Sequence, residues 1–216
     1  MSENISPVNM IQCTGRITYK NYEEDRKRLF FAVSMSIPRI TRSDSDDSGY
    51  NRDFPGFIVE GEKAEELNET LNVRDRVTVI GHADTERSMV YQGQRMFKQE
   101  WTLRLIADNV MKDAGGPDSN SVTMCGEVIR VYKNADQGKR FYLITLKIPM
   151  EDGPDTRVSF AYFDRGMRLE PEVGDAVYAT GSIQTKRLPV GNTDRTRLVT
   201  SIVSRSVAIE RRKKEE

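Results

Sequence analysis

The sequence predicts an all-β chain of two tandem five-stranded barrels. Three observations carry that prediction: one internal repeat, hydrophobic alternation with a period of two inside each copy, and a short amphipathic helix after the third strand. Residues Leu29–Pro38 align with Arg140–Pro149 at a shift of 111, and the same shift carries Gly15 onto Gly126. Further on, Val73–Arg87 aligns with Val173–Arg187 at a shift of 100, with six identities in fifteen ungapped positions. The change of shift means that the first copy carries 11 extra residues. The polar, acidic stretch 43–53 is about that length and reads as a loop.

Within each copy the strands follow in order. Val8–Thr18 opens the first half, and Leu29–Pro38 follows with Phe31, Val33, Met35 and Ile37 on one wholly apolar parity. Phe54–Glu60, Arg76–Arg87 and Trp101–Val110 complete it. The second half repeats the plan with Val122–Tyr132, Arg140–Pro149, Arg157–Phe163, Asp175–Arg187 and Arg197–Ile209. In Tyr142, Ile144, Leu146 and Ile148 one face is again apolar, which describes strands with one side in a core. Between the third and fourth strands, residues 62–71 place Ala64, Leu67 and Leu71 on one helical face. The matching stretch Asp164–Glu172 contains Pro171, so its helix is expected to be shorter or absent. Five short strands with a helix between the third and fourth is the layout of an OB-fold barrel, with a β-sandwich as the alternative. The expected domains are residues 1–112 and 122–210, joined by a small, polar linker at 113–121 and followed by a charged tail at 211–216.

Composition narrows the function classes. The chain has 216 residues, 33 basic and 33 acidic side chains and a net charge of zero, which excludes a uniformly cationic protein but not a basic groove balanced elsewhere. No uncharged run approaches the ~20 residues that cross a bilayer, and no signal peptide is visible, so a cytoplasmic protein is expected. Cys13 and Cys125 have no CxxC spacing and read as buried core thiols, so neither a metal nor a cofactor is expected. Phosphate-loop and zincin motifs are absent, and residues 44–55 start like a calcium loop but end on Pro55 where Glu is required. The single histidine, His82, reads as structural, its repeat partner being Ser182. Catalysis is therefore not expected.

The outward parity is more informative. Phe30 and Phe141 occupy equivalent positions outside the core, and two residues earlier on the same face stand Arg28 and Lys139. An exposed ring beside a cation, present twice, suits stacked bases and tracked phosphates. Phe54 and Phe163 extend this face or pack inward, the parity leaving both open. Arg16, after the bend residue Gly15, is a candidate phosphate contact, and the recurring pairs Arg87/Arg187 and Thr85/Thr185 are candidates to line the groove. Around Gly93, Tyr91, Arg95, Phe97 and Lys98 mix aromatic and basic character in a hairpin that either grips a strand or pairs its rings across the ladder. Trp101 shares parity with Leu103 and Leu105 and reads as core.

The stretches Asn9–Arg16, Phe31–Val33 and Phe57–Glu65 resemble the opening strands and helix start of bacterial and phage single-stranded DNA-binding proteins. Val73–Gly81 is similar to that family's strand before its long hairpin, and Gly93–Arg95 with Ala107–Val110 resembles the hairpin tip and closing strand. The resemblance covers about residues 8–112 and reaches the second half through the repeat. It implies sequence-independent binding of single-stranded DNA, with Phe54 at a stacking position and Phe30 on the strand that faces DNA. It also implies a homodimer presenting four barrels, as in the members that double the domain. Glu60 stands where that family often has an aromatic, and Phe163 is a candidate to supply it in the second half. The family's acidic tail is missing, since the chain ends in Glu210–Glu216, basic then acidic, which favours a phage or mobile-element origin over recruitment of repair enzymes. Two other readings stay open: an OB-type RNA-binding or annealing protein, and a replisome or conjugation scaffold.

Overall fold

The computed structural model describes residues 6–36, 52–93, 96–112, 115–134, 141–150, 154–163, 170–190 and 195–210, with backbone alone for 90–93 and 96–100. The expected loop 43–53 is outside this description up to residue 51, as are Lys139, Arg95 and the tail 211–216. Eleven strands and one α-helix are present among the described residues. One compact unit contains residues 11–120 with 183–200; the other contains the remaining described residues.

In the first half, β1 (Val8–Glu23) pairs antiparallel with both β2 (Arg28–Ser36) and β5 (Arg76–Gly93). β2 pairs with β4 (Gly56–Glu60), β4 runs parallel to β6 (Met96–Lys112), and β6 returns to β5, so the ring closes. Closure leaves no free edge along the barrel body, which protects short strands from pairing with other chains. A two-residue strand, β3 (Arg52–Asp53), adds to the end of β2. The sequence places the third strand from Phe54; the ladder breaks instead at Pro55, which has no N–H to donate, though its carbonyl still accepts from Val33 N at 3.0 Å.

β1 serves two partners and passes tightly against β2 at Gly15. A Cβ there would stand 2.3 Å from the Ser34 carbonyl oxygen, so no side chain fits. Gly126 does the same in the second half, where a Cβ would meet the Lys147 carbonyl oxygen at 2.6 Å. The two glycines pair with Val77 and Val177 respectively, so both shifts read from the sequence describe one repeated register.

The second ring runs β7 (Ser119–Asn134), β8 (Phe141–Ile148), β9 (Thr156–Phe163), β11 (Thr196–Glu210) and β10 (Ala176–Pro189), which returns to β7. β9 and β11 are the parallel pair. This ring order is that of the OB fold in both halves, as the sequence predicts, and the β-sandwich alternative is set aside.

The apolar parity fills each core: Phe31, Val33 and Met35 in the first, Tyr142, Ile144, Leu146 and Ile148 in the second, all at most 1% exposed. Helix α1 (Glu62–Thr70) follows β4 and buries Ala64 and Leu67, with Leu71 closing the same face. The corresponding expectation at 164–172 falls on residues that lie largely outside the description. Cys13 and Cys125 are both buried, as expected. Burial, with Asp53 adding to it, pushes the Cys13 thiol up to about 12, so it stays neutral and unreactive. No helix among the described residues is long and apolar enough to cross a membrane.

Candidate nucleic-acid interface

The outer face of the first barrel is built around Phe30. Residues two apart on a strand share a face, so β2 presents Arg28 and Phe30 together, and their cross-strand partners on β4 are Glu60 and Ile58. The Phe30 ring lies directly on Gly56: a Cβ at residue 56 would come within 2.4 Å of its Cζ. Tyr19 meets the ring edge-on, with centroids 5.9 Å apart. Phe30 nevertheless keeps 36% of its surface open, as the alternation predicts.

Sequence reasoning missed Tyr19. β1 extends five residues beyond the expected end at Thr18, and a register shift between Ile17 and Tyr19 turns the tyrosine outward, opposite Ala32. Its counterpart by pairing is Tyr132, opposite Leu143, after a shift between Val128 and Arg130. Both tyrosines are exposed. An aromatic in the same strand of each half was the available signal; the two bulges are equivalent under the shift of 111, but the second ladder is offset by two residues, so Tyr132 lies 113 positions from Tyr19 and the repeat shift does not superimpose them.

Phe54 now has a face. Burial alternates without interruption from Asp53 to Glu60, which puts Phe54, half-buried, on the outward set with Gly56 and Ile58. Its backbone N donates to Thr185 Oγ1 at 2.9 Å. Thr185 is the clearest departure from expectation in this region. It is buried, and both its N (2.7 Å) and its Oγ1 (3.3 Å) donate to Asp53 Oδ1, so it holds the segment before β4 and does not line a groove. Thr85, its repeat partner, is half-buried, and Arg187, two residues beyond Thr185, is exposed.

Arg28 is not a free cation. Its Nε and Nη2 donate to Glu60 Oε1 at 2.9 and 2.6 Å, and this hydrogen bond leads the causes that hold its guanidinium still more firmly protonated. Arg16 is exposed, and its Nη1 reaches the Arg74 carbonyl at 3.4 Å.

In the second barrel Phe141 pairs directly with Phe163, the rings tilted at 5.2 Å, and both are half-buried. Phe141 thus lies on the outward set, as the alternation predicts, but it is half-buried where Phe30 is exposed, because Phe163 supplies a second large ring where the first barrel has Ile58. Phe163 lies on the outward parity of β9, opposite Phe141.

β5 and β6 continue past the barrel as a two-stranded arm, in register up to Gly93 opposite Met96. Trp101, expected in the core, sits on this arm, 58% exposed, with the Arg87 guanidinium 5.0 Å above its ring. Its parity is that of Leu105, which is buried; beyond the barrel body the same parity meets no second layer and faces water. Tyr91 stands opposite Phe97 in the arm's register. The side chains of Tyr91, Phe97 and Lys98 lie outside the described residues, as does Arg95. His82 Nδ1 stands 2.9 Å from Asp108 Oδ2.

No protein-family model matches the chain, and no curated protein sequence does. Solved structures do. The crystal structure of the wild-type single-stranded DNA-binding protein from Thermus aquaticus superimposes with a TM-score of 0.70 at 14% identity, covering 98% of this chain and 97% of that one. A deletion mutant of the same protein gives a TM-score of 0.67, again at 14% identity, covering 98% and 99%. The likeness establishes a shared fold along the whole chain, two tandem OB barrels.

Proposed function

We propose that this chain binds single-stranded DNA without sequence preference, coating it during replication, recombination or repair, in the service of a phage or mobile element. What carries the reading is the outward aromatic group present on each barrel: Phe30 over Gly56 with Tyr19 against its edge in the first, and exposed Tyr132 together with the Phe141–Phe163 pair in the second. Aromatic faces on an otherwise polar strand surface accept any base, at about 1–3 kcal/mol per stacked base. The whole-chain likeness to a protein named for binding single-stranded DNA supports the same reading.

The binding would be passive. Bases stack on the rings while Arg16, Arg87 and Arg187 contact the backbone, Arg87 through a guanidinium already parked on Trp101. The arm with Tyr91, Arg95 and Phe97, and Lys139 beside Phe141, would extend the track. A homodimer would present four barrels; a monomeric mass by light scattering removes that part alone.

The test is a fluorescence titration with poly(dT), poly(U) and duplex DNA at low and high salt, using Trp101, the single tryptophan, as the reporter. Tight, salt-sensitive binding to poly(dT) is expected, with duplex weaker. Phe30→Ala combined with Phe141→Ala should weaken it while the circular dichroism spectrum is retained. Preference for poly(U) would favour the RNA-binding reading, and no binding to any of the three would favour a protein scaffold.

A further inference from the structure

We propose that Glu60 is a resident counter-anion of the first barrel: held between Arg28 and Arg104, it occupies the ground a backbone phosphate of single-stranded DNA would take, and strand binding displaces it. The inference rests on the reading above and adds the residue that sets the strength and salt dependence of the first barrel's grip.

The four side chains involved come from four neighbouring strands, one row along from Phe30 and Ile58. Arg28 donates twice to Glu60 Oε1, at 2.9 and 2.6 Å. Arg104 Nη2 donates to the same oxygen at 3.2 Å, and Arg104 Nη1 to Glu86 Oε2 at 2.6 Å. Two guanidiniums and two carboxylates make the row neutral. The acids form its outer layer: Glu60 and Glu86 are 54% and 45% exposed, against 29% and 19% for Arg28 and Arg104. An approaching phosphate therefore meets carboxylate first. Among the described residues Arg104 Nε is buried with no hydrogen-bond partner.

The exchange is chemically even-handed. A phosphate accepts from a guanidinium fork as a carboxylate does, and the carboxylate it replaces is more than half in water, where ion pairs are weak. It has a distinctive consequence. Salt dependence arises when protein cations neutralise phosphates and condensed ions leave, at about 0.7 per phosphate on a single strand. Cations already matched by a tethered acid contribute little to that slope, because the displaced carboxylate remains beside the phosphate. Removing the acid's charge restores the contribution.

The experiment is a salt series of poly(dT) titrations on the full chain, comparing the parent with Glu60→Gln, Glu60→Asp and Glu86→Gln. Glu60→Gln is expected to bind several-fold tighter at low salt, with a log–log slope steeper by up to about 0.7. Glu60→Asp keeps the charge and should keep the parent slope. Glu86→Gln, whose carboxylate accepts from Arg104, should move the same way by less, and it carries the test if Glu60→Gln fails to fold. Parent-like slopes in both glutamine variants would overturn the inference and leave Glu60 as a cross-strand ion pair, with the DNA-binding reading intact. Failure of the parent and every variant to bind would overturn that reading and this inference with it.

Discussion

Phe30 lies on a glycine with about a third of its surface open, whereas Phe141, its repeat partner, is covered by Phe163. The strands beneath them are equivalent, since Phe30 is opposite Ile58 and Phe141 opposite Phe163 in matching ladders. The charged surroundings diverge in the same direction. Glu86 of the first barrel corresponds to Lys186 in the second, which is exposed, and the residue two beyond Ile58 is Glu60, where the residue two beyond Phe163 is Arg165. One backbone plan thus carries an open ring in a neutral row and a closed ring pair in a sequence richer in cations. A duplicated core constrains the inward parity twice over and leaves the outward parity free to specialise.

The sharpest way to break that contrast is to remove each ring separately. Phe30→Ala should weaken poly(dT) binding by roughly 10–100-fold, the loss of one good stacking contact, and Phe141→Ala by a few-fold. Equal losses would mean that the ring pair opens on binding and that the resting difference is immaterial. Next comes Gly56→Ala. Its methyl meets the movable end of the Phe30 ring rather than backbone, so the melting temperature should hardly change while binding falls several-fold. Gly15→Ala and Gly126→Ala meet carbonyl oxygens and should lower the melting temperature instead.

A smaller effect separates the turns before the fourth strands. In both, the fourth residue's N–H returns to the first carbonyl at 3.1 Å, Asp75 to Asn72 and Asp175 to Glu172. Each aspartate also accepts from the first residue's N–H, at 2.9 and 2.8 Å. The third residue has a left-handed backbone, at φ 94° in Gly174 and φ 81° in Arg74. Only glycine takes that conformation without a Cβ clash, so Arg74→Gly should stabilise the chain by about 0.5–1 kcal/mol and Gly174→Ala should destabilise it by about 1 kcal/mol, read by urea denaturation. The smallest contrast is between the thiols. Both should resist a thiol reagent at about pH 8 without denaturant, Cys13 more than Cys125, whose pKa burial also raises. Because the folded Cys13 stays neutral to about 12 while the unfolded thiol ionises near 9.0, stability should fall as pH rises above 9.0.

The duplication, both barrels, the core parity of the second strand in each half and the helix were legible in the chain because each is a periodic pattern: alternation of two for strands, Ala64, Leu67 and Leu71 for the helix. Periodicity reports which side chains share a face, and the hydrophobic effect then decides which face goes inside. It does not report where a face ends. Trp101 keeps the parity of Leu105 but stands on an arm that has left the barrel, so the core it was read into is not there. Thr185 repeats Thr85 yet is buried against Asp53, and Arg28 sits beside Phe30 yet is held by Glu60, a residue 32 positions away. Tyr19 faces outward because of a one-residue bulge. Pairings across distant strands, bulge positions and strand overhangs depend on the closed ring as a whole. Local sequence settles the alternation of the strands, and the tertiary structure alone settles which neighbours each outward side chain meets.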